Sequence, residues 1–115
     1  MKRVLITLIV IGLVFGMGGP SFSAESANPL IIDVRTEAEW NSGHIEGAVL
    51  IPYEQIGERI GAVAPDKTRR IYLYCRTGRR AKIAQETLNK LGYKDVINLK
   101  TLENTAKTMK LKIVK

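Results

Sequence analysis

Apolar positions in this chain fall into short continuous runs and helical stripes that alternate along its length. Leu30-Ile31-Ile32-Asp33-Val34 is an apolar run with an acid near its end, the pattern of a buried parallel strand whose C-terminal edge carries polar groups. Thr36 is placed to cap a short helix through Glu37, Ala38, Glu39 and Trp40, with Glu39 completing a capping box, and Asn41-Ser42-Gly43 ends it. His44 and Gly47 flank a turn into Val49, Leu50 and Ile51, a second strand stopped by Pro52. From Tyr53 to Val63 the spacing of Ile56, Ile60 and Val63 gives one apolar helical face, which Gly57 and Gly61 weaken. Pro65-Asp66-Lys67-Thr68 is a turn, and Ile71 to Tyr74 is a third strand. Ala81, Ala84, Leu88 and Leu91 then recur at helical spacing in the longest helix, from about Arg79 to Leu91 and closed by Gly92. Val96 and Ile97 make one more strand and Leu102 to Met109 a last helix, while Leu111 to Val114 carries no decisive pattern. This alternation implies one α/β domain, a parallel sheet of four to five short strands with helices on both faces. Ligands of such sheets bind at the C-terminal ends of the strands, where Asp33 and Cys75 both sit.

The N-terminus changes the picture of the domain's extent. Lys2 and Arg3 precede an apolar run from Val4 to Phe15, followed by Gly-Gly-Pro and the small residues Ser21-Phe22-Ser23-Ala24, the order of a secretory signal peptide. A cut after Ser23 leaves a leader of residues 1–23 and a domain of residues 24–115, exported to the periplasm or an equivalent compartment; a cut after Ser26 is the second choice. The apolar run is short for a bilayer span, so the expected contact with membrane is through the leader alone. Cleavage removes Lys2 and Arg3 and no acid, lowering the formal charge of +7 by two. No aromatic and basic residues interleave as a stacking surface for nucleic acid requires, and the largest basic cluster lies around Cys75. Small anions are therefore the expected partners. Lys107, Lys110, Lys112 and Lys115 read as a solvated face.

Cys75 is the chain's single cysteine, so an exported domain has no internal disulfide and its thiol needs another purpose. A lone cysteine is usually a buried structural residue. This one stands on a strand-to-helix turn beside Arg76, Arg79 and Arg80. Loop amides, a helix N-terminus and guanidinium charge together favour an anion or a thiolate, so the reactive reading is preferred. One histidine and one cysteine offer too few soft ligands for a metal, and neither a metal nor a cofactor is expected.

Three segments together resemble the rhodanese family of sulfurtransferases. Ile32-Asp33-Val34-Arg35, Glu39, and Gly43-His44-Ile45-Glu46-Gly47-Ala48 with Ile51-Pro52 are similar to its N-terminal signature; Cys75-Arg76-Thr77-Gly78-Arg79-Arg80 is similar to its active-site loop; Leu91-Gly92-Tyr93-Lys94-Asp95-Val96 is similar to the helix end and strand that follow. One short domain behind a signal peptide looks closest to the periplasmic, phage-shock type. The resemblance implies that Cys75 takes a sulfane sulfur from a donor such as thiosulfate and passes it as a persulfide to cyanide or a thiol. In that scheme Cys75 is the nucleophile and the amides of Arg76, Thr77, Gly78, Arg79 and Arg80 form its cradle. Gly78 lets the loop bend, Arg76 and Arg79 face the mouth, and Arg80 turns back toward an acid, with Asp33 the first candidate. Asp33, Arg35, Glu39 and His44 are expected as structural support, Glu39 as the partner of Arg35 and His44 in a turn away from the thiol. Where the family commonly has two glycines near the loop, this chain has Lys100-Thr101, whose side chains are expected to narrow the pocket and add charge. A small-molecule donor and a thiophilic acceptor are the expected partners of a monomeric enzyme.

Three rival readings use the same residues. A cysteine-loop phosphatase or arsenate reductase needs a ring wide enough for a tetrahedral oxyanion, usually with five residues between Cys and Arg, whereas four separate Cys75 from Arg80. A non-catalytic binding module of the same fold would typically lack the cysteine, and a periplasmic thiol redox protein would need a second cysteine to resolve a disulfide.

Overall fold

A computed structural model describes residues 29–115. The leader expected at residues 1–23 and the first residues of the domain expected at 24–115 lie outside them.

The elements follow in the order β1 (Leu30–Asp33), α1 (Glu37–Ser42), β2 (His44–Ile45), β3 (Val49–Leu50), a 3-10 turn (Tyr53–Gln55), α2 (Ile56–Val63), β4 (Ile71–Cys75), α3 (Arg79–Lys90), β5 (Val96–Thr101), α4 (Leu102–Met109) and β6 (Ile113–Val114). Four strands form one parallel sheet in the order β3-β1-β4-β5, as the alternation of strand and helix predicts. β2 and β6 pair separately as a short antiparallel ribbon. That ribbon was not legible: two residues are too few to show a period, and Ile113–Val114 becomes a strand only because His44 and Ile45 lie alongside.

Because successive strand residues point to opposite faces, the sheet buries two different sets of side chains. Ile32, Ile71, Leu73 and Cys75 pack with Ile56 and Ile60 of α2 and Ala81, Ala84 and Leu88 of α3. Ile31 and Tyr74 pack on the other face with Ile45 and, more loosely, Leu102, Ala106 and Met109 of α4. Leu91, expected on the buried stripe of α3, is 40 % exposed because the helix ends before it. Gly92 follows with φ 99, and the Tyr93 and Gly92 amides donate to the Leu88 and Asn89 carbonyls, closing the helix as a Schellman motif. The Thr36 and Glu39 capping box is present as expected. Lys107, Lys110, Lys112 and Lys115 are all exposed. No helix among the described residues is long and apolar enough to cross a membrane.

β5 runs four residues beyond the Val96-Ile97 pair expected, and it carries an irregularity. Leu73 pairs with Asn98 but Tyr74 with Lys100, so Leu99 is an extra residue on β5. Past it, Lys100 takes φ 74, a left-handed conformation that a β-carbon disfavours.

Candidate functional site

β1 and β4 are neighbours with Asp33 opposite Tyr74, which brings Asp33 and Cys75 to the same edge of the sheet. Directly after β4 the chain makes a tight loop over residues 76–78 and enters α3. Gly78 is the N-cap, in a left-handed conformation (φ 105, ψ −12), and no side chain caps the helix. The thiol sulfur takes that part: the Gly78 amide donates to Cys75 Sγ at 3.0 Å. Burial pushes the thiol pKa up, but the amides of Ala81, Gly78, Thr77 and Arg80 directed at the sulfur outweigh it, holding Cys75 below its ordinary value. The cradle thus extends past the expected residues to Ala81, the third residue of the helix, whose amide is free for that reason.

Gly78 is also where the loop meets β5. A β-carbon there would stand 3.1 Å from Lys100 Cγ and 3.2 Å from Lys100 Cβ, on backbone that already favours glycine. Asn98 ties the two together, donating through Nδ2 to the Gly78 carbonyl (3.1 Å) and accepting from the Lys100 amide (2.8 Å). Gly78→Ala is expected to cost about 1–2 kcal/mol from the left-handed backbone, plus the displacement of Lys100. It should also slow iodoacetamide modification of Cys75 at neutral pH, since the amide ring must shift. Urea unfolding and alkylation kinetics on the same samples check both effects.

Around the loop, two ion pairs are partnered differently from the sequence expectation. Arg35 pairs with Asp33 and not with Glu39: its Nε donates to Oδ1 at 2.9 Å and to Oδ2 at 3.1 Å, its Nη2 to Oδ2 at 2.8 Å, and its backbone amide to Oδ1 at 2.9 Å. The reason is local. The chain bends at Arg35 just past β1, so both its amide and its guanidinium fold back onto the Asp33 carboxylate before any helix residue can reach it. Arg35 Nη2 also donates to the Gly43 carbonyl at 2.6 Å, and its guanidinium lies 5.5 Å from the Tyr74 ring. The Tyr74 hydroxyl accepts from the Ile45 amide at 3.0 Å and hydrogen-bonds Asp33; burial above all raises its pKa.

With Asp33 occupied, Arg80 turns to Glu39 instead, through Nη1 to Oε1 at 2.8 Å and Nη2 to Oε2 at 3.0 Å. Glu39 stands in the first turn of α1, held there by Thr36, and the fork ties α1 to the start of α3. Those bonds hold Arg80 above its ordinary pKa, and the nearby Cys75 charge adds to the effect. Chiefly through the hydrogen bonds from Arg80, the Glu39 carboxyl falls from 4.5 to about 2. A depressed carboxyl stabilises the fold fully above its unfolded pKa, and that stabilisation is lost as pH falls through the folded value. Between pH 4.5 and 2 the wild type should therefore lose about 2 kcal/mol that Glu39→Gln does not lose, allowing for partial exposure. Urea titrations of the two proteins across that window test it.

Beside Cys75 lies a cavity of about 550 Å³. Arg35, Ala38, Glu39 and Ser42 line it on the α1 side, Leu102 and Glu103 on the α4 side, and Arg76 on the loop. Cys75 is 1 % exposed, less than a freely accessible thiol, yet it is among the residues that line the cavity. Arg76, Thr77 and Arg79 are exposed, but of these only Arg76 lines the cavity. Lys100 and Thr101 do not line it, contrary to expectation: Lys100 packs along Gly78, and Thr101 caps α4 by accepting from the Asn104 amide at 2.9 Å. His44 stacks on Trp40 with ring centroids 3.5 Å apart, and its Nδ1 is 2.9 Å from the Trp40 carbonyl. Ala38, Ser42, Leu102 and Glu103 enter the site only through packing of α1 and α4 against the sheet, and nothing in their own sequence context marks them.

A cysteine whose surrounding amides favour the thiolate, with Arg76 beside it on the cavity lining, has the arrangement of a nucleophile that can attack and then hold a second anionic atom. Comparison with known proteins gives this geometry a context. The rhodanese-like domain profile matches residues 22–101. Thiosulfate sulfurtransferase PspE of Escherichia coli is 36 % identical over 99 residues, covering 86 % of this chain and 89 % of that protein. A sulfurtransferase of Allochromatium vinosum is 35 % identical over 77 residues, covering 67 % of this chain and 70 % of that protein. Among solved structures, a rhodanese with anions from E. coli superposes with a TM-score of 0.70 at 34 % identity, covering 76 % of this chain and 99 % of that one.

Proposed function

Since the chain belongs to the rhodanese-like domain family, we propose that it is a thiosulfate sulfurtransferase that works through a persulfide on Cys75. The Cys75 thiolate attacks the outer sulfur of thiosulfate, the sulfur–sulfur bond breaks, and sulfite leaves with the bonding electron pair. The loop amides that hold the thiolate then hold the outer sulfur of the persulfide, and Arg76 with Arg79 draws the anionic donor to the mouth. A nucleophile such as cyanide takes the outer sulfur, and Cys75 returns to thiolate. Arg80 fixes the loop through Glu39. Asp33 and Arg35 fix the neighbouring strand end, and His44 with Trp40 stiffens the turn after α1. The partners are small molecules, the protein acts as a monomer, and the leader at residues 1–23 directs it to the periplasm.

The observation that carries this reading is the Cys75 sulfur itself, capped by the Gly78 amide at 3.0 Å and lowered in pKa by four amides of the loop and the first turn of α3. Only four residues separate Cys75 from Arg80, a loop sized for a single sulfur, whereas a phosphate monoester would need amides spread around its three non-bridging oxygens. Purified protein is expected to form thiocyanate from thiosulfate and cyanide and to leave an aryl phosphate intact. Phosphate release without thiocyanate would replace this proposal with the phosphatase reading.

A further inference from the structure

Four charged side chains line the cavity beside Cys75, and two of them are already neutralised. Arg35 is bound by Asp33 and Glu39 by Arg80. The other two, Arg76 on the loop after β4 and Glu103 in the first turn of α4, are exposed and form no hydrogen bond or ion pair with any described residue, including each other. They carry opposite charge on different elements, and the apolar side chains of Ala38 and Leu102 share the lining.

This polarity is more than sulfur donation requires. A purely anionic donor can use Arg76 but meets the carboxylate of Glu103 as a like charge. We infer that the sulfur acceptor for this cavity is a small thiol carrying both an ammonium and a carboxylate, an amino-acid thiol, with Glu103 taking the ammonium and Arg76 the carboxylate. The inference rests on the proposed sulfur transfer and adds the acceptor's chemical class and a specificity residue. Neither Arg79 nor Lys100 lines the cavity, so Arg76 is the one unpaired cation there to oppose Glu103 among the described residues. In the transfer step the acceptor thiolate attacks the outer sulfur of the Cys75 persulfide. The sulfur–sulfur bond breaks toward Cys75, which leaves as thiolate, and the acceptor departs as its own persulfide. No outside oxidant or reductant is needed.

The test separates the two half-reactions. Full-length protein is treated with thiosulfate, freed of excess donor, and shown by intact mass to carry one extra sulfur. It is then discharged with L-cysteine, cysteamine (no carboxylate) or 3-mercaptopropionate (no ammonium), with each rate corrected for the thiol's own thiolate fraction. L-cysteine should discharge the wild type fastest. Glu103→Gln should slow L-cysteine and cysteamine about fivefold relative to 3-mercaptopropionate, as expected for loss of one partly exposed charge-assisted contact. Arg76→Gln should slow L-cysteine and 3-mercaptopropionate about fivefold relative to cysteamine. Equal rates for the three thiols, or variants that slow all three alike, would overturn the inference while leaving sulfur transfer standing. Failure to load at all would overturn the sulfur-transfer reading and this inference with it.

Discussion

Replacing Cys75 with serine should lower kcat/KM for sulfur transfer from thiosulfate by about 10³-fold or more, because the step has no other nucleophile. A serine hydroxyl stays protonated at neutral pH even inside the amide ring, so it neither attacks thiosulfate nor carries a sulfane sulfur. The fold should survive. Serine differs by one atom, its oxygen can still accept from the Gly78 amide, and the Glu39–Arg80 fork that anchors the loop is untouched. Circular dichroism and urea unfolding should therefore match the wild type to within about 1 kcal/mol, the range of a buried near-isosteric change. Residual transfer at more than a few per cent of wild type would mean that the sulfur passes elsewhere.

Asp33→Ala is expected to be the most destabilising single change, at about 3–5 kcal/mol. It leaves the buried Arg35 guanidinium without its counter-charge, removes an acceptor of the Tyr74 hydroxyl, and frees the Arg35 amide. A domain of this size has about 5–15 kcal/mol in all, so the variant should lose a third or more of its stability unless the starting value is near the top of that range. Because a small hydrophobic pair avoids stranding a charge, Asp33→Leu combined with Arg35→Met should recover part of the loss, which urea unfolding of the three variants would reveal. A cost below about 1 kcal/mol for Asp33→Ala would show that solvent reaches Arg35 and that the pair is not the brace described.

The partners of Asp33 and Glu39 are not legible from sequence, for a physical reason. The strands, the capping box and the stripe Ala81, Ala84 and Leu88 declared themselves because each depends on spacing within one element. The Cys75 turn was legible for the same reason: strand, loop and helix are contiguous. Partner choice between elements is set by tertiary geometry. Arg35 lies two residues from Asp33, in the bend that follows β1, while Glu39 meets Arg80 from 41 residues away only because the fold brings the first turns of α1 and α3 together. Lys100 misled in a different way. Its side chain was expected in the pocket, but its left-handed backbone after the β5 irregularity lays it along Gly78. The cavity residues Leu102 and Glu103 belong to the first turn of a helix that any sequence would show as amphipathic, and nothing there announces a view of Cys75.

Intact-mass measurement of the full chain after thiosulfate treatment asks directly whether Cys75 becomes a persulfide. The wild type should gain the mass of one sulfur atom and lose it on addition of cyanide, whereas Cys75→Ser should gain nothing. No gain in the wild type, or an equal gain in Cys75→Ser, would contradict sulfur transfer at this cysteine.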